Sequence, residues 1–101
     1  MRPVNFAPEV EADLDRAVAW FDGQGSGLGD RFLADFRVTV GRIANIGSVL
    51  RNARGEFRHL KFDGFPYFVY FREDGGGFYV TLVIDATRDP ALVSRLLRER
   101  R

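Results

Sequence analysis

The chain is predicted to fold as an α+β protein in which a pair of amphipathic helices packs on one face of an antiparallel sheet. Three observations predict it. Two stretches of helical apolar spacing, residues 9–22 and 28–46, are separated by only five or six residues, which favours an antiparallel hairpin. Two β-rich runs, Phe65-Pro-Tyr-Phe-Val-Tyr-Phe-Arg72 and Phe78-Tyr-Val-Thr-Leu-Val-Ile84, then flank a turn at Glu73-Asp-Gly-Gly-Gly77. Seven residues of the first run are aromatic, β-branched or proline, which suits a strand with apolar surroundings on both faces.

In order along the chain, residues 2–6 read as a short edge strand, because Pro3 is unsuited to a central one. Pro8 is placed at the first position of the first helix, and Glu9, Glu11 and Asp13 follow where the helix dipole favours negative charge. Val10, Leu14, Ala17, Val18 and Phe21 form its apolar stripe, which stops near Asp22 before a glycine-rich link. The second helix carries Phe32, Leu33, Phe36, Val40 and Ile43, with Gly47 as its C-terminal cap. Gly41 inside it costs roughly 1 kcal/mol relative to Ala, a cost ascribed here to close packing against the first helix. Residues 48–55 read as a polar connection, and residues 56–62 as an imperfectly alternating strand ended by Asp63-Gly64. Asp89 is a natural N-cap with Pro90 behind it, opening a short helix through Leu92, Val93, Leu96 and Leu97 that frays in a solvated Arg98-Glu-Arg-Arg101 tail. The order is β-α-α-β-β-β-α, with a sheet of three to four strands, and the whole of 1–101 is expected to be one domain.

Composition narrows the function classes. With 46% hydrophobic residues, ten of them Phe, the chain has enough apolar matter for a core. It has no cysteine and one histidine, so neither thiol chemistry nor a transition-metal site is expected, and no cofactor is implied. No apolar run reaches the ~18 residues that span a membrane, and no signal-peptide pattern opens the chain, so a cytoplasmic protein is expected. Net charge is +1, but it is unevenly spread: residues 1–50 hold five arginines against seven acids, and residues 51–101 hold ten basic residues against seven. A polyanionic or acidic partner is therefore expected on the sheet half.

Five pieces in this order resemble the RelE/ParE superfamily of type II toxin–antitoxin toxins, over nearly the whole length. They are Phe6-Ala-Pro-Glu9, Ala17-Val-Ala-Trp-Phe21, Gly27-Leu-Gly-Asp-Arg-Phe-Leu33, Arg58 ahead of the run Phe65–Arg72, and Arg88-Asp-Pro90 after the last strand. The ParE-like, plasmid-stabilisation branch is the more similar. The resemblance implies the α+β toxin fold, a cognate antitoxin that neutralises the protein, and growth arrest when the protein is free. ParE-like members inhibit DNA gyrase, whereas RelE-like members cut mRNA on the ribosome. For the antitoxin, two surfaces suggest themselves: the groove beside the helical hairpin and an exposed sheet edge.

RNA cleavage requires a proton acceptor, a donor to the leaving oxygen and cations around the phosphorane. The matching positions offer Arg58, His59, Lys61, Arg72 and Arg88 as binding candidates. If the chain is a nuclease, Arg58, Lys61, Arg72 and Arg88 are its catalytic candidates. Asp85 stands where many relatives have histidine, and no tyrosine follows Tyr79, so the set is equipped to bind RNA and poorly equipped to cut it. Solvated or salt-bridged strand positions are the commoner fate of such charges, and Tyr67, Tyr70 and Tyr79 are more often packing residues than base-stacking ones. Three readings follow: a gyrase-directed binding toxin, an mRNA interferase, or a toxin-fold protein without toxic activity.

Overall fold

The structure, a computed structural model describing residues 1–101, contains β1 (Val4–Phe6), α1 (Glu9–Gln24), α2 (Leu28–Ile46), a 3-10 turn (Gly47–Val49), β2 (Asn52–Arg54), β3 (Phe57–Lys61), β4 (Tyr67–Asp74), β5 (Gly77–Asp85) and α3 (Pro90–Glu99). The α+β architecture is as expected, but the sheet has five strands in the order β1-β5-β4-β3-β2. It is also not wholly antiparallel, because β1 runs parallel to β5, pairing Val4 with Phe78 and Phe6 with Val80. β2 lies within the stretch expected to be a polar connection. Its Asn-Ala-Arg sequence has no apolar alternation, and it is a strand only because β3 folds back beside it, Asn52 against Arg58. The link between α1 and α2 is shorter than expected, only Gly25 to Gly27, because α1 continues to Gln24. Pro8 stands just before α1, at its N-cap.

β4 is the central strand, and its alternation buries both faces. Val69 and Phe71 join Phe62, Phe78, Val80 and Val83 in a core covered by Phe32, Phe36 and Ile43 of α2 and Val10 and Ala17 of α1. Tyr70 faces the other way, with Phe57, Leu82 and Ile84, beneath Val93 and Leu97 of α3. Each helix thus buries the stripe its spacing predicted, since residues three and four apart share a face. A bulge at β5, where Tyr70 opposes Leu82 and Phe71 opposes Val80, re-aims the strand so that it serves both cores. No helix is long and apolar enough to cross a membrane.

The glycines correct two expectations. A Cβ on Gly41 would meet nothing within 4 Å, so this residue is not a packing contact with α1. The close approach of the two helices is at Gly29, whose N–H donates to Asp22 Oδ1 at 2.8 Å, and where a Cβ would lie 2.6 Å from that oxygen. Gly41→Ala is therefore expected to stabilise the protein by about 0.5–1 kcal/mol, read as a higher urea midpoint with unchanged slope. Gly47 does occupy the C-cap of α2, but with right-handed backbone (φ −56°). A Cβ there would approach Phe78 to 2.9 Å and Phe71 to 3.1 Å, so room for two rings explains this glycine.

Candidate functional site

β3 places Arg58 and His59 on opposite faces of the sheet, because successive residues of a strand alternate. Arg58 opposes Phe71 and lies on the helical-hairpin side. Its Nη1 donates to the Gly47 carbonyl at 3.0 Å and to Glu73 Oε1 at 2.9 Å, and its Nε donates to Asn52 Oδ1 at 3.2 Å. The guanidinium is thereby used in joining the end of α2, β2 and β4, and only 17% of the side chain is exposed. Arg72, on β4, lies over the Tyr79 ring at 4.7 Å, donates to the Glu73 carbonyl at 3.4 Å and sits 3.8 Å from Asp74 Oδ1.

His59 opposes Tyr70 on the α3 side. Its ring stacks on Phe68 at 4.2 Å and 5° between planes, and its buried Nδ1 has no hydrogen-bond partner. Burial, followed by the charge of Arg54, holds its pKa below the ordinary 6.5. The unfolded chain then binds this proton more readily than the folded one. The stability contributed by neutral His59 is fully present above pH 6.5 and is lost as the pH falls through the lower folded value. Urea unfolding followed from about pH 7.5 down to about pH 5 is expected to show that loss, and His59→Phe, which keeps a ring against Phe68 without titrating, is expected to flatten it.

Lys61, at the end of β3, and Arg88, between β5 and α3, are exposed and form no salt bridge. The turn that carries Arg88 is rigid for local reasons. Asp85 Oδ1 accepts from the Thr87 N–H and hydroxyl, both at 2.7 Å, and Asp89 Oδ1 accepts from the Ala91 N–H at 3.0 Å as the N-cap of α3. Asp85 is thus a turn-capping carboxylate. Of the five candidates, Arg58 and Arg72 are held in intramolecular pairs, His59 is packed against an aromatic ring, and Arg88 lies on another segment beyond β5. Arg58 lies on the opposite sheet face from His59 and Lys61.

A different cluster converges. Asp13, 1% exposed at its side chain, sits under α1 against the edge of β5. Its Oδ2 accepts from the Val83 N–H at 3.0 Å and from Arg100 Nη1 at 2.7 Å. Its Oδ1 accepts from Arg100 Nη2 at 3.0 Å and Arg16 Nη2 at 2.7 Å. Arg100 Nη1 also donates to the Thr81 carbonyl at 3.3 Å, and its pKa is raised first by the hydrogen bonds to Asp13. The C-terminal arginines are therefore not a frayed tail: Arg100 anchors the end of α3, and Arg101 pairs with Glu56. The sequence carried a signal for Asp13, which falls at +3 from Val10 and −4 from Ala17, inside the apolar stripe rather than beside it. Arg100 carried none.

Beside this pair a cleft of ≈ 420 Å³ opens between α1 and α3, with Arg16, Arg88 and Tyr67 among its walls. Burial and Asp85 raise the Tyr67 pKa, while Arg88 and Arg16 oppose the rise, so the phenol is a neutral group and no base at neutral pH. No three His, Cys, Asp or Glu side chains gather as a metal-ligand set.

No family model matches the sequence, and no curated protein matches it. Among solved structures, the chain is similar to one from the chromosomal ParDE TA system of P. aeruginosa, with a TM-score of 0.74 at 16% identity, covering 84% of this chain and 96% of that one. The likeness lies in the fold: a leading strand, a helical hairpin, a mostly antiparallel sheet and a closing helix. With that architecture and its order, the chain shares the fold of that structure from a ParDE TA system.

Proposed function

We propose that this chain is the toxin of a toxin–antitoxin pair, kept inactive by a cognate antitoxin. When free in the cytoplasm, it arrests growth by binding DNA gyrase rather than by cutting RNA. The toxin reading is supported by the likeness of 84% of this chain to a chain of a ParDE TA system, together with the sequence resemblance to ParE-like toxins. Gyrase as the target comes from that resemblance alone. Binding rather than cleavage is supported by one observation above all: two of the four catalytic candidates, Arg58 and Arg72, are engaged within the protein. Arg58 is held by Glu73, Asn52 and the Gly47 carbonyl, on the opposite face from His59. General acid–base chemistry needs donor and acceptor within about 3 Å of the same substrate atoms, and the separation of Arg58 from His59 across the sheet supports binding over cleavage.

Controlled induction in a bacterial host, with parallel readouts of plasmid supercoiling, transcript integrity and translation, tests the reading. Growth arrest with altered supercoiling and intact transcripts is expected, and co-expression of the antitoxin is expected to restore growth. Codon-positioned mRNA cuts that disappear in Arg88→Ala would replace it with the interferase reading. Normal growth with soluble, folded protein would leave a toxin-fold binding protein.

A further inference from the structure

The cleft between α1 and α3 has an uneven chemistry. Along this edge β1 covers β5 only from Phe78 to Val80, so the later residues of β5 form the cleft floor, with Leu82 and Ile84 beside Leu92 and Leu96 of α3. At its base Asp13 and Arg100 saturate one another, and at its rim Asp85 is occupied by Thr87. Two other guanidiniums keep donors to spare. Arg88 has no acceptor at all, and Arg16, 69% exposed, touches Asp13 through a single nitrogen although a guanidinium offers five N–H donors. Both bear on the ionisation of Tyr67, which lines the same cleft, so they address one space. One helical turn beyond Arg16 and Ala17, Trp20 is 63% exposed on α1.

We propose that this cleft is a docking site for a segment of a partner protein that presents a carboxylate between aliphatic side chains. The carboxylate bridges Arg88 and Arg16, and the aliphatic neighbours lie on Leu92 and Leu96. Arginine and tyrosine around an apolar floor are a composition in which interface energy concentrates, and Arg binds carboxylates with two parallel hydrogen bonds. A nucleic acid fits the same surface poorly. Polyanion binding draws on many cations along a track, whereas this cleft has two with free donors and has the exposed Glu9 near Arg100. The site lies apart from the groove of the helical hairpin, beside the stretch of the β5 edge that β1 leaves uncovered, where the Val83 N–H is already taken by Asp13 and contact is through side chains rather than an added strand. It does not rest on the toxin reading, because it is tested on the isolated protein.

Trp20, the only tryptophan, lies one helical turn from Arg16, so its fluorescence is a nearby reporter for this surface. The probe is the peptide acetyl-Leu-Glu-Leu-amide, titrated against isotope-labelled protein with fluorescence and amide chemical shifts as readouts. A saturable fluorescence change is expected, with shifts concentrated at Arg16, Arg88, Leu92 and Leu96. Replacing the peptide's Glu with Gln, or Arg88 with Ala, is expected to weaken binding about tenfold or more, the loss of one charge-assisted contact. Arg88 makes no side-chain contact that holds the fold, so Arg88→Ala is expected to keep its unfolding midpoint. Equal binding of the two peptides, shifts scattered over the surface, no saturation up to the peptide's solubility, or displacement by a short oligouridylate would each overturn the proposal.

Discussion

Asp13→Ala is expected to cost about 3–5 kcal/mol, the penalty for breaking a buried ion pair by removing one partner. Asp13 is 1% and Arg100 11% exposed at their side chains, so the lost carboxylate leaves a guanidinium largely shielded from water. The substitution orphans two guanidinium donors and the Val83 N–H at the edge of β5, all of which end on the same two oxygens. Against the roughly 5–15 kcal/mol that holds a folded domain together, such a loss is large. A fall in Tm of more than about 12 °C is expected by thermal circular dichroism. Arg100→Ala is expected to cost less than Asp13→Ala, because Val83 and Arg16 still donate to the carboxylate. The double variant is expected to fall well short of the sum, the signature of residues acting as a unit. Additive effects would show that the pair does not hold α3 to α1 and β5.

Phe32→Ala is expected to cost a comparable 3–5 kcal/mol, the usual range for truncating a buried Phe. Its ring is fully buried where three parts of the chain meet. It stacks on Phe62 at 4.8 Å and Phe21 at 5.3 Å, and meets Phe65 and Tyr67 edge-on at 5.3 and 4.9 Å. Aromatic pairs at these distances contribute roughly 0.5–1.5 kcal/mol each beyond their buried area. α1, α2 and the chain between β3 and β4 all depend on this one side chain. Phe32→Leu, which refills most of the space, is expected to lose less than half as much in chemical denaturation. Equal losses from Ala and Leu would show that the aromatic contacts, not the volume, hold the cluster.

The candidate cations show how far residue type alone reaches. Arg58, His59, Lys61, Arg72 and Arg88 were legible as basic positions on or beside the sheet, and the structure places them there. What each does depends on a partner elsewhere in the chain: Gly47 and Glu73 for Arg58, Tyr79 for Arg72, Phe68 for His59. Alternation along β3 already separates Arg58 from His59. That β2 and the end of α2 would close over Arg58 is a property of the folded chain.

By itself the sequence determined the two stripes of the helical hairpin, the doubly buried run at Phe65–Arg72, the capped start of α3 and hence the α+β class. These are periodic or nearest-neighbour properties, read from residues two, three or four apart. Only the tertiary structure decided that β1 pairs in parallel with β5, that Asn52-Ala-Arg54 becomes β2, and that Gly29 rather than Gly41 is the tight contact between helices. It also decided that Asp13 and Arg100, 87 residues apart, close the molecule with one ion pair. The reason is that a strand's direction and a charge's partner are set by pairing between distant segments. The free energy of burial selects that pairing, and no local pattern records it.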